Sequence, residues 1–428
     1  MHTDASFIQM TIHTKWMELL RSEASDAFQY GELNGKPSAS FIDGQIKLMK
    51  PESVQTWADF LYAKFTSVIM RHFELYGCST VVLSFDDKRH VPKAKAITQC
   101  KRRAGVQTID FGEADTLPND LPLQWKESIM NAWFKHRVIE LICANIPRLV
   151  APTGRKRLIV DWETVTEYIY NSDGTDPEIA SHDCTGIGEA DLKFTHWMRK
   201  FECPMLIEAT DGDYIPIALG LKVAGHGQPV VILKAWNQEK GGAEFVHIDL
   251  IHSFLKKRFA RAGSTEEWEE IKIFIALLGL SGTDFTRNLP LVSPQKIWGA
   301  LSIVTRTFSM DGPTTLNLQK GKRVVELLYA EAFPKHIDPF SRRSVWSQVG
   351  FFLHPLFGQK PILTSKNQAQ DSKLGARNKA LIPTDARIEC TLRNINFLMA
   401  YWLEFQPPKN IENYGFRITE DGVVQWDD

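Results

Sequence analysis

The chain has 428 residues, a formal net charge of −1, 43% apolar residues and 24% charged residues. That balance excludes a disordered or collagen-like chain, and the lack of any run of about 20 apolar residues argues against a membrane span. The length sets an expectation of two to three domains.

The opening residues, MHTDASFIQM, are polar where a secretory leader needs its apolar core, so an intracellular protein is expected, in nucleus or cytoplasm. Six cysteines, at 78, 100, 143, 184, 203 and 390, are scattered without a CxxC pair. Reduced thiols are therefore expected, and a zinc site is not. Overall neutrality does not exclude nucleic acid as a partner, since a local basic patch suffices.

In chain order, residues 1–37 read as a helical lead-in, FIQMTIHTKWMELLRS, and a Gly/Asn/Pro linker. SASFIDG, residues 38–44, is a short apolar run closed by Asp43 and a glycine. Residues 52–76 place Trp57, Phe60, Leu61, Phe65, Val68, Ile69 and Phe73 at helical spacing. STVVLSF is a buried strand ending at Asp86-Asp87, and the basic segment KRHVPKAKAITQCKRR follows it. A helix is expected over 126–149 and a strand at RLIVDW, 157–162. TGIGEADLKFTHWMRKF is a glycine-marked loop feeding a helix, PMLIEATDGD a strand then a loop, and IPIALGL a helix. VVILKAW is a further strand, and helices are expected over 246–260 and 266–280. Residues 296–428 read as mostly helical, with a polar stretch SKNQAQDSKLGARNKA.

Strands that are continuous runs of Val, Ile and Leu, alternating with helices, predict an α/β fold with a mainly parallel sheet covered on both faces. Ligands of such sheets bind at the carboxyl ends of the strands. Asp43, Asp86, Asp211 and Asp213 each follow a predicted strand, Glu189 and Asp191 open a helix, and Asp284 follows an apolar helix in FIALLGLSGTDFTRNLP. Carboxylates converging without histidine or cysteine make a hard-oxygen site suited to Mg²⁺ or Mn²⁺. Two such ions can activate a water and stabilise a leaving oxygen in phosphodiester hydrolysis. For Asp211 and Asp213 the expectation is a shared cation, with Gly212 letting the backbone turn. Asp161 and Glu163, in IVDWETV, are given a structural or rim role.

The ordered series resembles the PIN-like nucleases, the superfamily of flap endonucleases and 5′→3′ exoribonucleases. SFDDKRHVPKAKAITQCKRR looks like that group's acid-ended strand and basic helix, GIGEADLK like its acidic helix start, TDGD like its DxD, and SGTDF like its later GxDF element. FIDG, SFDD, GEAD, DGD and LLGLSGTDF, with the late TLRNINFLMAYWLE and YGFRITEDGVVQWDD, are similar in order to a transposon- and virus-associated branch. The resemblance implies a three-layer PIN-like fold: an N-terminal extension at 1–37, a nuclease domain at 38–295 and a helical region at 296–428. It implies a metal-dependent nuclease acting on DNA or RNA by a two-metal-ion mechanism. Asp43, Asp86, Glu189, Asp191, Asp211, Asp213 and Asp284 would form the metal and catalytic shell. Lys93, Lys95, Arg102 and Arg103 would hold phosphates.

Three departures keep alternatives open. Asp4, in TDAS, rivals Asp43 as the first acid, Asp87 replaces the usual glycine after Asp86, and the first strand is short. The alternative reading is an inactive PIN-like scaffold or nucleic-acid-binding protein. A glycosyltransferase would use a DxD too, but a DxD accounts for only one of the five acidic elements.

Overall fold

The computed structural model describes residues 5–49, 54–95, 97, 108–111, 116–237, 242–259, 268–286, 289, 292–332 and 383–427. Nine strands form one sheet: β1 (Phe28–Gly31), β2 (Ala39–Asp43), β3 (Thr80–Ser84), β4 (Lys156–Asp161), β5 (Val165–Tyr170), β6 (Glu178–His182), β7 (Met205–Glu208), β8 (Val230–Asn237) and β9 (Gly242–His247). Their order across the sheet is β1-β9-β8-β7-β2-β3-β4-β5-β6. The five central strands, β8 through β4, are parallel. Every residue of β2, β3 and β7 is buried, which is why these strands read as mainly apolar runs.

Both edges are antiparallel and differ from the sequence expectation. On one side β9 pairs with β8 and β1, so the helix expected from 246 starts only at Ile248. On the other, β5 and β6 form a hairpin against β4. β1 lies inside the expected N-terminal extension and is a sheet strand.

Helices cover both faces. On one face lie the helix Trp57–Leu61, a π-helical turn over Tyr62–Thr66, and the helices Ser67–Glu74 and Ala132–Leu149. Their apolar side chains pack with Ile42, Val81, Leu83, Leu158 and Val160. The helix expected over 126–149 is broken at Asn131, whose Oδ1 accepts from Phe134 N at 3.0 Å and caps the longer piece. On the opposite face α1 (Ala190–Phe201) and α2 (Tyr214–Val223) pack through Phe194, whose ring meets Phe41 at 6.1 Å and stacks on Tyr214 at 5.4 Å. Successive residues of β2, Phe41 and Ile42, thus serve opposite layers.

The chain divides into two compact units. Ala24–Pro92 with Arg102–His252 forms the sheet unit, and Met1–Glu23, Lys93–Lys101 and Ser253–Asp428 form the other. The second unit is mostly helical. Its α3 (Glu269–Ser281) and α4 (Asp385–Glu404) approach so closely that a Cβ on Gly279 would lie 2.6 Å from Ile395 Cγ1. The helix Ala5–Glu23 is tied to α3 by Trp16 Nε1, which donates to Ser281 Oγ at 2.8 Å. Among the described residues no helix is long and apolar enough to cross a membrane.

Candidate metal centre

Three neighbouring parallel strands end together. Asp43, the last residue of β2, lies opposite Ser84 of β3, and Ile42 lies opposite Glu208 of β7. Asp86 follows β3, and Asp211 and Asp213 follow β7. α1 starts at this same edge, because Ala190 N donates to Asp86 Oδ1 at 3.0 Å. That brings Glu189 and Asp191 to the first turn. α2 starts there too, with Tyr214 Oη donating to Asp43 Oδ2 at 2.9 Å. Six of the seven expected acids therefore lie along one edge of the sheet unit. Asp284 belongs to the other unit, buried in its loop, with Lys95 Nζ 4.0 Å from its Oδ2.

The electrostatics follow from burial. Asp43 is 6% exposed. Its pKa is raised from 3.8 to about 7, chiefly by loss of water, then by the nearby Asp86, with a smaller push from Asp211. Donors from Tyr214 and from Gln45 N, at 2.9 Å to Oδ1, oppose it. The Tyr214 phenol is driven well upward by burial, then by the charges of Asp43 and Asp191. Asp43, Asp86, Asp191 and Asp211 thus share one field. Glu189 is 2% exposed, and its carbonyl accepts from Leu192 N at 3.1 Å and Lys193 N at 3.0 Å to start α1.

Asp211 and Asp213 are not equivalent. Asp213 is buried at the head of α2, whereas Asp211 is exposed and its Oδ1 accepts from Asp213 N at 3.2 Å. This side-chain turn bends the chain, and Gly212 is not among the left-handed glycines, so the conformational freedom expected of it is not used. Pro216 falls in the first turn of α2, where its missing N–H leaves no bond unmade.

Two motif glycines have steric reasons. A Cβ on Gly44 would stand 2.4 Å from the ring of Phe85, so the glycine of FIDG makes room for the phenylalanine of SFDD. A Cβ on Gly188 would lie 2.2 Å from the carbonyl carbon of His90, so the glycine before Glu189 lets two loops touch through backbone. Asp87 N donates to Gly188 O at 2.7 Å across that contact.

Beneath the edge, Lys193 of α1 is fully buried. Its Nζ donates to Phe85 O at 2.9 Å, Asp161 Oδ1 at 2.8 Å and Trp162 O at 3.1 Å. Trp197 Nε1 donates to Asp161 Oδ2 at 2.7 Å. Asp161 therefore anchors α1 to the ends of β3 and β4, in the structural role expected for it.

Glu208 escaped the sequence reading. This buried carboxylate closes β7 and takes Lys47, Arg71 Nη2 at 3.0 Å and His72 Nε2 at 2.6 Å. Despite its burial, the bond from His72 and the nearby cations hold its pKa far below the ordinary range. A glutamate inside a run of buried residues was the available signal, because such a charge must be paired. Asp87 is also paired. Arg89 donates to Oδ1 through Nε at 2.9 Å and to Oδ2 through Nη2 at 2.6 Å. Of the expected phosphate-binding residues, Lys93 is exposed and Lys95 is half-buried, both in the helical unit. Arg102, Arg103 and Asp4 lie outside the described residues.

The six-acid edge offers only oxygen donors of one charge, which fits Mg²⁺ or Mn²⁺. No family model matches the chain, and no curated protein sequence does. Two solved structures of the catalytic core of Rad2 in complex with DNA substrate are similar in fold. One aligns over 93% of this chain and 88% of that chain, with a TM-score of 0.42 and 13% identity. The other aligns over 93% and 87%, with a TM-score of 0.41 and 12% identity.

Proposed function

We propose that this chain is a PIN-like, divalent-metal-dependent nuclease that hydrolyses phosphodiester bonds of DNA or RNA. The observation that carries the proposal is the row of six acids on adjoining strand ends and helix starts, with Asp43 pushed to about 7 by burial and by Asp86. A fold keeps such a costly group when a cation relieves it. Asp43, Asp86, Glu189, Asp191, Asp211 and Asp213 would hold the ions, two in number. When bound, such ions supply an activated water and neutralise the leaving oxygen.

The chain's own residues prepare that site. Tyr214 fixes the Asp43 carboxylate through Oδ2 and Gln45 N fixes it through Oδ1. Ala190 N holds Asp86 through Oδ1. Lys193 ties Phe85, the residue before Asp86, to α1. Lys93, Lys95, Arg102 and Arg103 would hold backbone phosphates, so binding should weaken steeply with salt. Placement in the transposon- and virus-associated branch rests on the order of the short motifs alone.

The test is cleavage of labelled single-stranded, duplex and flapped DNA and RNA, with Mg²⁺, Mn²⁺ or chelator. Wild type should cut only with metal, and the Asp211→Ala/Asp213→Ala double variant should not cut. Undiminished cutting by the double variant overturns the assignment. A folded wild type that binds Mn²⁺ and nucleic acid without cutting establishes the inactive scaffold instead.

A further inference from the structure

The loop after β3 and the loop before α1 carry a second donor set with different chemistry. Asp87 Oδ2 lies 3.9 Å from His90 Nε2, and His90 Nε2 lies 3.8 Å from Cys184 Sγ. All three ligand atoms fall within 4.8 Å of one another. Tetrahedral zinc, with bonds of about 2.0–2.1 Å to nitrogen or oxygen and about 2.3 Å to sulfur, places its ligand atoms about 3.3–3.6 Å apart. The two spacings to His90 need only a small contraction to reach that range, and the third is bounded at 4.8 Å.

The backbone beneath these side chains is fixed. Asp87 N bonds Gly188 O at 2.7 Å, and His90 N bonds Asp87 O at 3.1 Å. The space that would hold a Gly188 Cβ is filled by His90 and Val91 backbone. Burial is graded across the three donors: Asp87 is buried, Cys184 half-buried and His90 exposed. Arg89 is the competitor for Asp87. Its Nη2 also donates to Glu163 O at 2.6 Å, and its side chain is half exposed. It can therefore yield Oδ2 while its Nε and backbone N keep Oδ1, at 2.9 and 3.0 Å.

We propose that Asp87, His90 and Cys184 bind one Zn²⁺, with a fourth position open to water. Thiolate and imidazole select zinc, whereas the neighbouring carboxylate edge suits hard cations, so ligand softness sorts the two metals. Binding replaces the Cys184 S–H bond with an S–Zn bond and releases the proton to solvent. The ion would staple the loop bearing Asp86 to the loop that delivers Glu189 and Asp191. Adjacent aspartates would thereby serve different metals, Asp86 the carboxylate edge and Asp87 the staple. Sequence spacing hid this group, because Cys184 lies far along the chain from His90 and no CxxC pair announces it.

The experiment titrates chelator-stripped full-length protein with Co²⁺ and then Zn²⁺, without nucleic acid. Wild type should develop a thiolate-to-cobalt charge-transfer band in the near ultraviolet that saturates at one ion per chain and is bleached by Zn²⁺. Cys184→Ser should lose the band, and His90→Ala should weaken it, with circular dichroism confirming that both fold. Zn²⁺ should raise the Tm of wild type and leave that of Cys184→Ser unmoved. Absence of the band in wild type, or its survival in Cys184→Ser, overturns the proposal. The Mg²⁺ cleavage assay is separate: cutting without a cobalt band removes only the zinc site, and a band without cutting removes only the nuclease.

Discussion

Asp43→Asn should stabilise the metal-free protein above neutral pH. The folded pKa of about 7 stands well above the ordinary 3.8, so folding opposes ionisation of this carboxyl. The sign follows directly. Stability from the protonated group is fully present below about pH 4 and is lost as pH rises through about 7. That displacement corresponds to an upper limit of about 4 kcal/mol at 1.36 kcal/mol per pH unit. Asparagine removes the charge but turns an amide toward either Tyr214 or Gln45 N, at a cost of about 1 kcal/mol. A net gain of about 2–3 kcal/mol at pH 8 remains. Urea unfolding with chelator from pH 4 to 8.5 reads this out: wild type should weaken across the range and then level, and the variant should stay nearly flat. Saturating Mg²⁺ should reverse the ranking, because only wild type keeps the full ligand set. A variant less stable than wild type at pH 8 in chelator would refute the reasoning.

Glu208→Gln should cost about 3 kcal/mol at pH 7, since it leaves Lys47 and Arg71 facing a neutral group. Because the folded Glu208 pKa is depressed, the difference from wild type should shrink as pH falls below 4.5 in denaturant midpoints. Gly44→Ala should cost about 1–3 kcal/mol by driving a methyl into the buried Phe85 ring, and Phe85→Leu should recover part of that loss in a double-mutant cycle. Lys193→Met should cost about 3–5 kcal/mol in thermal or urea unfolding by stranding the buried Asp161, and adding Asp161→Asn should restore part of it.

The centre of the sheet was legible because parallel strands buried on both faces are apolar at most positions, as TVVLS and MLIE are apart from Thr80, Ser84 and Glu208. The acids at their ends were legible as polar breaks in those runs. The antiparallel edges were not. β6, EIASH, is exposed along its whole length, and β1, FQYG, is only partly buried, so neither carries a burial pattern. Glu208 could be read from the sequence as a buried charge needing partners, but the partners themselves could not, because they come from Lys47 and from a helix at 71–72, distant in sequence. The different partners of Asp86, which takes Ala190 N, and Asp87, which takes Arg89, were equally hidden. Adjacent residues after a strand take different directions, and their partners lie far along the chain or in the following loop.

The position of β2 at the middle of the sheet also sets an order of events in synthesis. Phe41 lies opposite Val82 on one side and Ile207 on the other. At roughly 5–20 residues per second, a ribosome takes on the order of ten seconds to go from the first partner to the second. Throughout that interval β2 has one open backbone edge, a natural place for a chaperone to hold the nascent chain. The phenol that fixes Asp43 emerges later still, with Tyr214. Mutually repelling charges are therefore brought together only after the apolar strands have begun to pair. The acidic edge can form only once the chain has grown past Tyr214, about half of its 428 residues, and a shorter nascent chain does not yet have it.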